Sequence, residues 1–291
     1  PLKEESNFSN FIWIERAALK SESAQYFNSM LKGVKSTPNV LLGVSDVSFD
    51  LPDEGLISNK FFLSFDAFDN LKKLALENGI TMASICHAAW ALIYSVYLRS
   101  SDIIYGATTS GRSVSMKNID KIIGPVVNTC PVRFSVRSSY TILSHLQEVQ
   151  LMLLSNLDHE NFPLAQIQNN CGLRPIFSVI VDFQSSSWGL SFKNKDGSIS
   201  HSDPPELIDR IACPLTIRFL LDTNFSVESH SVCERLRCTI NSESSLLDSS
   251  FVETTMKNLN IVLEAFASTK DLSTTSLLSI QRVVQVPASA F

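Results

Sequence analysis

A chain of 291 residues with 44% hydrophobic and 18% charged residues matches one large packed domain or two small ones. The net charge of -5, with no Lys/Arg stripe to answer a phosphate backbone, excludes a nucleic-acid partner. The cysteines, Cys86, Cys130, Cys171, Cys213, Cys233 and Cys238, form no C-x-x-C pair, so neither a disulfide framework nor a zinc site is expected. Reduced core thiols in a cytosolic protein fit that spacing, and a chain that opens on Pro1 reads as part of a longer protein.

Phe8 to Glu15 is aromatic and apolar, and Ser23 to Leu31 has the spacing of a short amphipathic helix. Gly33 to Gly55, with Pro38, Pro52 and scattered Ser, reads as a loop crossing between structural units. Lys60 to Phe65 puts Phe61, Leu63 and Phe65 on one face, a strand pattern. Asp66 or Asp69 suits the cap of the next helix, whose stripe is Phe68, Leu71, Leu74 and Ala75 and whose end is Gly79. Thr81 opens a longer helix to Arg99 that is apolar nearly all round and therefore sandwiched between layers. Ser84, His87 and Ser95 make it too polar to span a membrane.

Asp102 to Thr109 is a strand leading into Ser110-Gly111-Arg112, and Ile123 to Phe134 is another. A helix from Tyr140 to Asn156 carries the stripe Ile142, Leu146, Val149, Leu153 and Leu157. Phe177 to Phe183 is apolar almost without interruption, the mark of a central strand covered on both faces. Ser185 to Pro205 is a polar loop or hairpin insertion with a turn at Pro204-Pro205. Leu215 to Leu221 and Leu236 to Ile240 are strands. Phe251 to Phe266 is a closing helix, capped by Asp248, with Val252, Met256, Leu259 and Leu263 facing in. Thr274 onward reads as an exit linker. Strands alternating with long helices predict the α/β class, a mixed sheet flanked by helices.

Two runs hold polar groups where a core would stay apolar: Ile123 to Arg133 (IGPVVNTCPVR) and His159 to Ala165 (HENFPLA). The Asn128 amide can accept from an amine and donate to a carbonyl at once, which suits a substrate amide; it can equally tie down backbone at a strand end. Gly111 lets its loop approach other backbone closely. Arg112 and Arg133 suit structural contacts, Arg112 a salt bridge. His159 reads as a cation stabilised at a helix C-terminus. Structural or surface roles suit His87, His145, His201 and His230.

Taken together, these runs resemble the later core motifs of the condensation domains of nonribosomal peptide synthetases. Phe8 to Glu15 with its helix resembles the segment leaving the first lobe. Tyr105-Gly106 through Ser110-Gly111-Arg112 is similar to the strand and loop that floor the tunnel. Ile123 to Arg133 is similar to the fifth motif, with Pro125-Val126 where many members have a Phe. His159 to Ala165 is similar to the sixth, with Ala165 in place of an acidic residue, and Arg174-Pro175 before Phe177 to the end of the seventh. Asp182-Phe183 and Trp188-Gly189 are faintly similar to the Asp-Phe-Gly-Trp-Gly motif of plant-type acyl-CoA transferases, at a different spacing.

The resemblance implies a chloramphenicol-acetyltransferase-like lobe, one arm of a V with a tunnel between its lobes. It implies residues 1–58 as the segment leaving an N-terminal lobe, 59–270 as the C-terminal lobe and 271–291 as the exit linker. It puts Ser110, Gly111, Arg112, Asn128, Thr129 and His159 on the tunnel and makes Gly124, Pro131, Arg133, Pro163, Arg174 and Pro175 structural. No catalytic residue and no metal ligand is assigned, because the family's His-His-x-x-x-Asp-Gly run does not occur in these residues.

The implied reaction joins two carrier-tethered thioesters as an amide, or releases or cyclises the product. The chain alone is expected to be inactive. No cofactor is bound directly; the 4'-phosphopantetheine arms of donor and acceptor carrier domains bring the substrates. The partners are those carriers and the N-terminal lobe, in the cytoplasm, with neither membrane nor nucleic acid. A degenerate lobe that only docks carriers, or a free-standing CoA-dependent acyltransferase, are the alternatives.

Overall fold

The computed structural model describes residues 8–17, 21–34, 55–113, 116–185, 191–193, 199–201, 213–226, 231–244 and 246–287. Helices α1 (Phe8–Ala17) and α2 (Ser21–Met30) precede strand β1 (Leu56–Phe62). Then come α3 (Phe65–Asn78), α4 (Met82–Tyr97), β2 (Asp102–Thr109), β3 (Asn128–Ser135), α5 (Ile142–Leu157) and α6 (Leu164–Cys171). Strands β4 (Val179–Gln184), β5 (Ser191–Lys193), β6 (Ile199–His201), β7 (Leu215–Ser226) and β8 (Ser231–Glu243) come next, and α7 (Ser249–Ser268) and α8 (Leu277–Gln281) close the described chain.

A six-stranded sheet in the order β1-β8-β7-β4-β2-β3 organises these elements. Central β4 runs parallel to both β2 and β7, and the remaining pairs are antiparallel. On one face lie α3, α4, α5 and α7, with α4 buried between sheet and helices as its all-round apolar sequence requires. The opposite face is covered at one end by Phe27 and Leu31 from the α2 region and Ile167 of α6, which sit over Ile104 and Ile180. Apolar cover on both faces is what the nearly continuous apolar run Phe177–Phe183 demands. Caps form where hydroxyls or carboxylates meet free amides: Thr81 accepts from Ser84, Thr141 from Ser144 and Asp248 from Phe251.

Several boundaries differ from the sequence reading. Strand β1 stops at Phe62 and Phe65 opens α3, half exposed, because Ser64, not Asp66 or Asp69, accepts from the Ala67 amide. Pairing in β3 begins only at Asn128; Pro125 has no amide to donate, and the stretch before it packs instead under α1, with Phe8 over Gly124 and Phe11 against Ile122 and Val126. Helix α6 was not anticipated, since its 8 residues are too short to display a period. Leu157 is 39% exposed instead of facing in. The Ser185–Pro205 insertion contains a hairpin, Ser191 pairing His201.

The exit linker expected at 271–291 is corrected as far as residue 287. Leu277, Ile280 and Val284 are buried in the main core, and the Asn258 side chain bonds both the amide and the carbonyl of Gln285 at 3.0 and 2.7 Å. Trp188-Gly189, Pro204-Pro205, Pro38, Pro52 and His230 lie outside the described residues. Among the described residues, no single helix is long and apolar enough to cross a membrane.

Candidate functional site

Beyond Thr109 the chain leaves β2 in a tight loop. Gly111 has φ +67, and a Cβ there would stand 1.7 Å from the Val126 carbonyl oxygen, so only glycine fits. The loop is fastened on both sides. The Ser113 amide donates to Glu160 Oε1 at 2.8 Å and its hydroxyl to the Leu157 carbonyl at 3.0 Å. The Arg112 guanidinium donates to the carbonyls of Ile119 and Ile122, so it clamps a backbone turn instead of forming the salt bridge expected of it. Ser110, exposed, accepts from the Arg112 amide at 3.2 Å.

Across from this loop, Asn128 starts β3. Its Nδ2 donates to the carbonyls of Glu160 and Phe162 at 2.6 and 3.3 Å, and its Oδ1 accepts from the Thr129 amide at 2.9 Å. Of the two readings open for Asn128, these bonds describe the backbone tie. Cys130 is two residues on, its thiol directed at the Glu160 carbonyl at 3.4 Å, and burial pushes the thiol up to about 12. Glu160, fully buried, therefore joins the loop, the strand start and the turn after α5; sequence reading did not single it out.

His159 stands on the outer side of the same turn. Its ring stacks on Tyr26 with centroids 4.2 Å apart, and Nδ1 lies 3.0 Å from the Ser23 hydroxyl. Ring stacking under α2 holds it. Tyr26 also donates to Asn156 Oδ1 at 2.6 Å, and Asn156 donates onward to the Pro131 carbonyl at 3.0 Å. Arg133 grips both oxygens of Asp102 at 2.7 Å and donates to the Met30 and Lys32 carbonyls, tying the end of α2 to the sheet edge. Pro163 stands at the N-cap position of α6 without a side-chain bond, and Arg174, which donates to Asn169 Oδ1, precedes Pro175 across a cis peptide bond.

The carboxyl ends of the parallel strands carry further polar groups, among them Asp182, which sequence reading noted only for its faint likeness to the Asp-Phe-Gly-Trp-Gly motif. Gly106 makes room for Phe177; a Cβ would come 2.6 Å from that ring and 2.9 Å from the Thr129 methyl. Pairing between β2 and β4 stops at Ala107 and Val181, although the strands run on to Thr109 and Gln184. Thr108 faces Thr129 across the β2–β3 pair. Asp182 is 6% exposed and its Oδ2 accepts from Arg218 Nε and Gln184 Nε2, both at 2.9 Å. A further signal in the sequence is a charge set into each of two apolar runs, FSVIVDF and LTIRFLL.

A profile of the condensation domain matches residues 2–282. The chain belongs to the condensation-domain family. It is 28% identical to malformin synthetase mlfA of Aspergillus brasiliensis over 196 residues, 67% of this chain and 4% of that protein. To a linear gramicidin synthase of Brevibacillus parabrevis it is 27% identical over 214 residues, 72% of this chain and 4% of that one. The condensation domain of the monacolin K polyketide synthase MokA has the same fold, with a TM-score of 0.70 at 15% identity over 92% of this chain and 62% of that one. The chain thus spans a small part of those synthetases and under two thirds of the solved domain.

In this condensation-domain chain the buried histidines sit away from the loop, in the helical layer. His87 Nδ1 lies 3.1 Å from the Tyr105 hydroxyl, and burial lowers its pKa to about 3. His145 Nε2 donates to the Ala88 carbonyl at 3.0 Å, with its pKa lowered by burial to about 4. Both are buried in the core, and burial disfavours their charged form.

Proposed function

We propose that the chain is one wall of the amide-forming tunnel of a nonribosomal peptide synthetase. The amine of an acceptor aminoacyl thioester attacks the carbonyl of a donor thioester. The collapsing adduct expels the pantetheine thiol and leaves an amide. Such aminolysis gains chiefly from holding two tethered reactants together away from water, and then from help in moving one proton. That proton-handling imidazole is supplied from outside these residues, by the His-His-x-x-x-Asp-Gly run of an N-terminal lobe. The arms of donor and acceptor carriers reach the site from a cytoplasmic assembly.

On this reading Ser110, Gly111 and Thr129 border the tunnel. Asn128, Arg112 and Glu160 act one step removed: they fix the loop and the strand start against each other. His159 and Arg133 hold α2 on the lobe. The match of residues 2–282 to the condensation domain is the observation that carries the reading. The test loads both carriers of the parent synthetase and tracks amide formation by mass spectrometry. The parent is expected to turn over and this chain alone to yield no amide. Turnover by the chain alone would overturn the division of labour between lobes, and a parent that binds loaded carriers without turnover would favour the docking platform.

A further inference from the structure

We infer that Asp182, with Thr108 beside it, forms a substrate-selecting site that takes a hydrogen-bond-donating group from the tethered acyl chain. The inference rests on the tunnel reading above and adds a preference to it. Three observations converge. First, β2 and β4 are parallel and their pairing ends at Ala107 and Val181, short of their carboxyl ends, the side of open α/β sheets on which ligands lie. Second, the register puts Thr108 next to Asp182 on the face that also bears Gly106, and opposite Thr129 of β3.

The third observation concerns bonding. Asp182 is 6% exposed, and both of its hydrogen bonds, from Arg218 and Gln184, end on Oδ2. Oδ1 has no hydrogen-bond partner among the described residues, and it is not among the sealed, unbonded atoms of the interior. The Thr108 hydroxyl has no hydrogen-bond partner among the described residues either. A carboxylate ringed by donors on one oxygen and open on the other is a fixed acceptor. The Arg218 guanidinium pairs with Oδ2 and leaves Oδ1 unblocked. A hydroxyl, amide or ammonium on the substrate satisfies Oδ1, and Thr108 serves as donor or acceptor to the same group. An aliphatic group leaves the carboxylate oxygen dry and unbonded, and an anionic group meets it with like charge.

The experiment uses the complete condensation domain of the parent synthetase and two pantetheine-linked analogues, isosteric except that one ends in a hydroxyl or amide and the other in a methyl. Binding is read calorimetrically, so it does not depend on turnover. Wild type is expected to hold the donor-bearing analogue at least about tenfold tighter, the order of one hydrogen bond to a charged acceptor. Asp182→Asn removes most of that difference and leaves the methyl analogue within about twofold. Thr108→Val, which keeps the ion pair intact, narrows the difference less and guards against misfolding of the first variant. Equal affinity of wild type for the two analogues, or equal losses in both variants, would overturn the inference. A preserved preference in a domain that makes no amide supports the site while counting against the tunnel reading.

Discussion

Gly111 and Asn128 are close to one another and are constrained in different ways. Gly111 is held by space and backbone: its φ of +67 strains any side chain, and the Val126 carbonyl leaves no room for one. Gly111→Ala is expected to destabilise the lobe by about 1–3 kcal/mol and to slow amide formation by the parent enzyme. An unchanged urea midpoint would refute this. Asn128 is held by bonding. Asn128→Ala strands the carbonyls of Glu160 and Phe162 and the Thr129 amide, with an expected loss of about 1–3 kcal/mol. Chemical denaturation measures that loss, and wild-type stability would return the side chain to the substrate. Its polarity inside an apolar run marked Asn128 as unusual. Which way its amide turned depended on carbonyls more than thirty positions further along the chain.

Among whole elements, those with a strong local period were legible. Helix α4 is apolar nearly all round and lies in the interior; β4 is apolar but for Asp182 and Gln184 and lies at the centre of the sheet. Elements whose cause is a distant partner were not. Strands β7 and β8 run to 12 and 13 residues because each ladder extends the other past the apolar stretch visible in sequence. The α8 segment is polar enough to read as a tether, yet Leu277 fits the core beside Tyr140, and Asn258 fastens Gln285 beyond it. Leu277→Ala should therefore lower stability by about 2–5 kcal/mol, measured by urea titration of the chain. A change below about 1 kcal/mol would mean that this segment only rests on the lobe.

For the molecule as a whole, the buried histidines set how it responds to acid. Folded His87 and His145 titrate near 3 and 4, whereas the unfolded chain's histidines do so near 6.5. Between those values the unfolded chain binds protons that the folded one refuses. Stability is thus whole above pH 6.5 and falls as the pH drops through that window, by up to about 1.4 kcal/mol per pH unit for each histidine. Urea midpoints from pH 7 to 4 check this. His145→Gln, which can still donate to the Ala88 carbonyl, is expected to give a shallower decline. An unaltered slope would assign the acid sensitivity to other groups.

Local patterning was enough to establish the layered α/β class and most helix positions, because burial of one face imposes a repeat that neighbouring residues display; the family likeness came from the motif runs. It also picked out the polar runs that meet at the β2–β3 end. The direction of each polar side chain was beyond its reach. Whether Asn128 faces backbone, Arg112 a turn, or Asp182 the Arg218 guanidinium depends on groups brought together only when strands far apart in the chain settle into register, and hydrogen bonds act over a few ångströms.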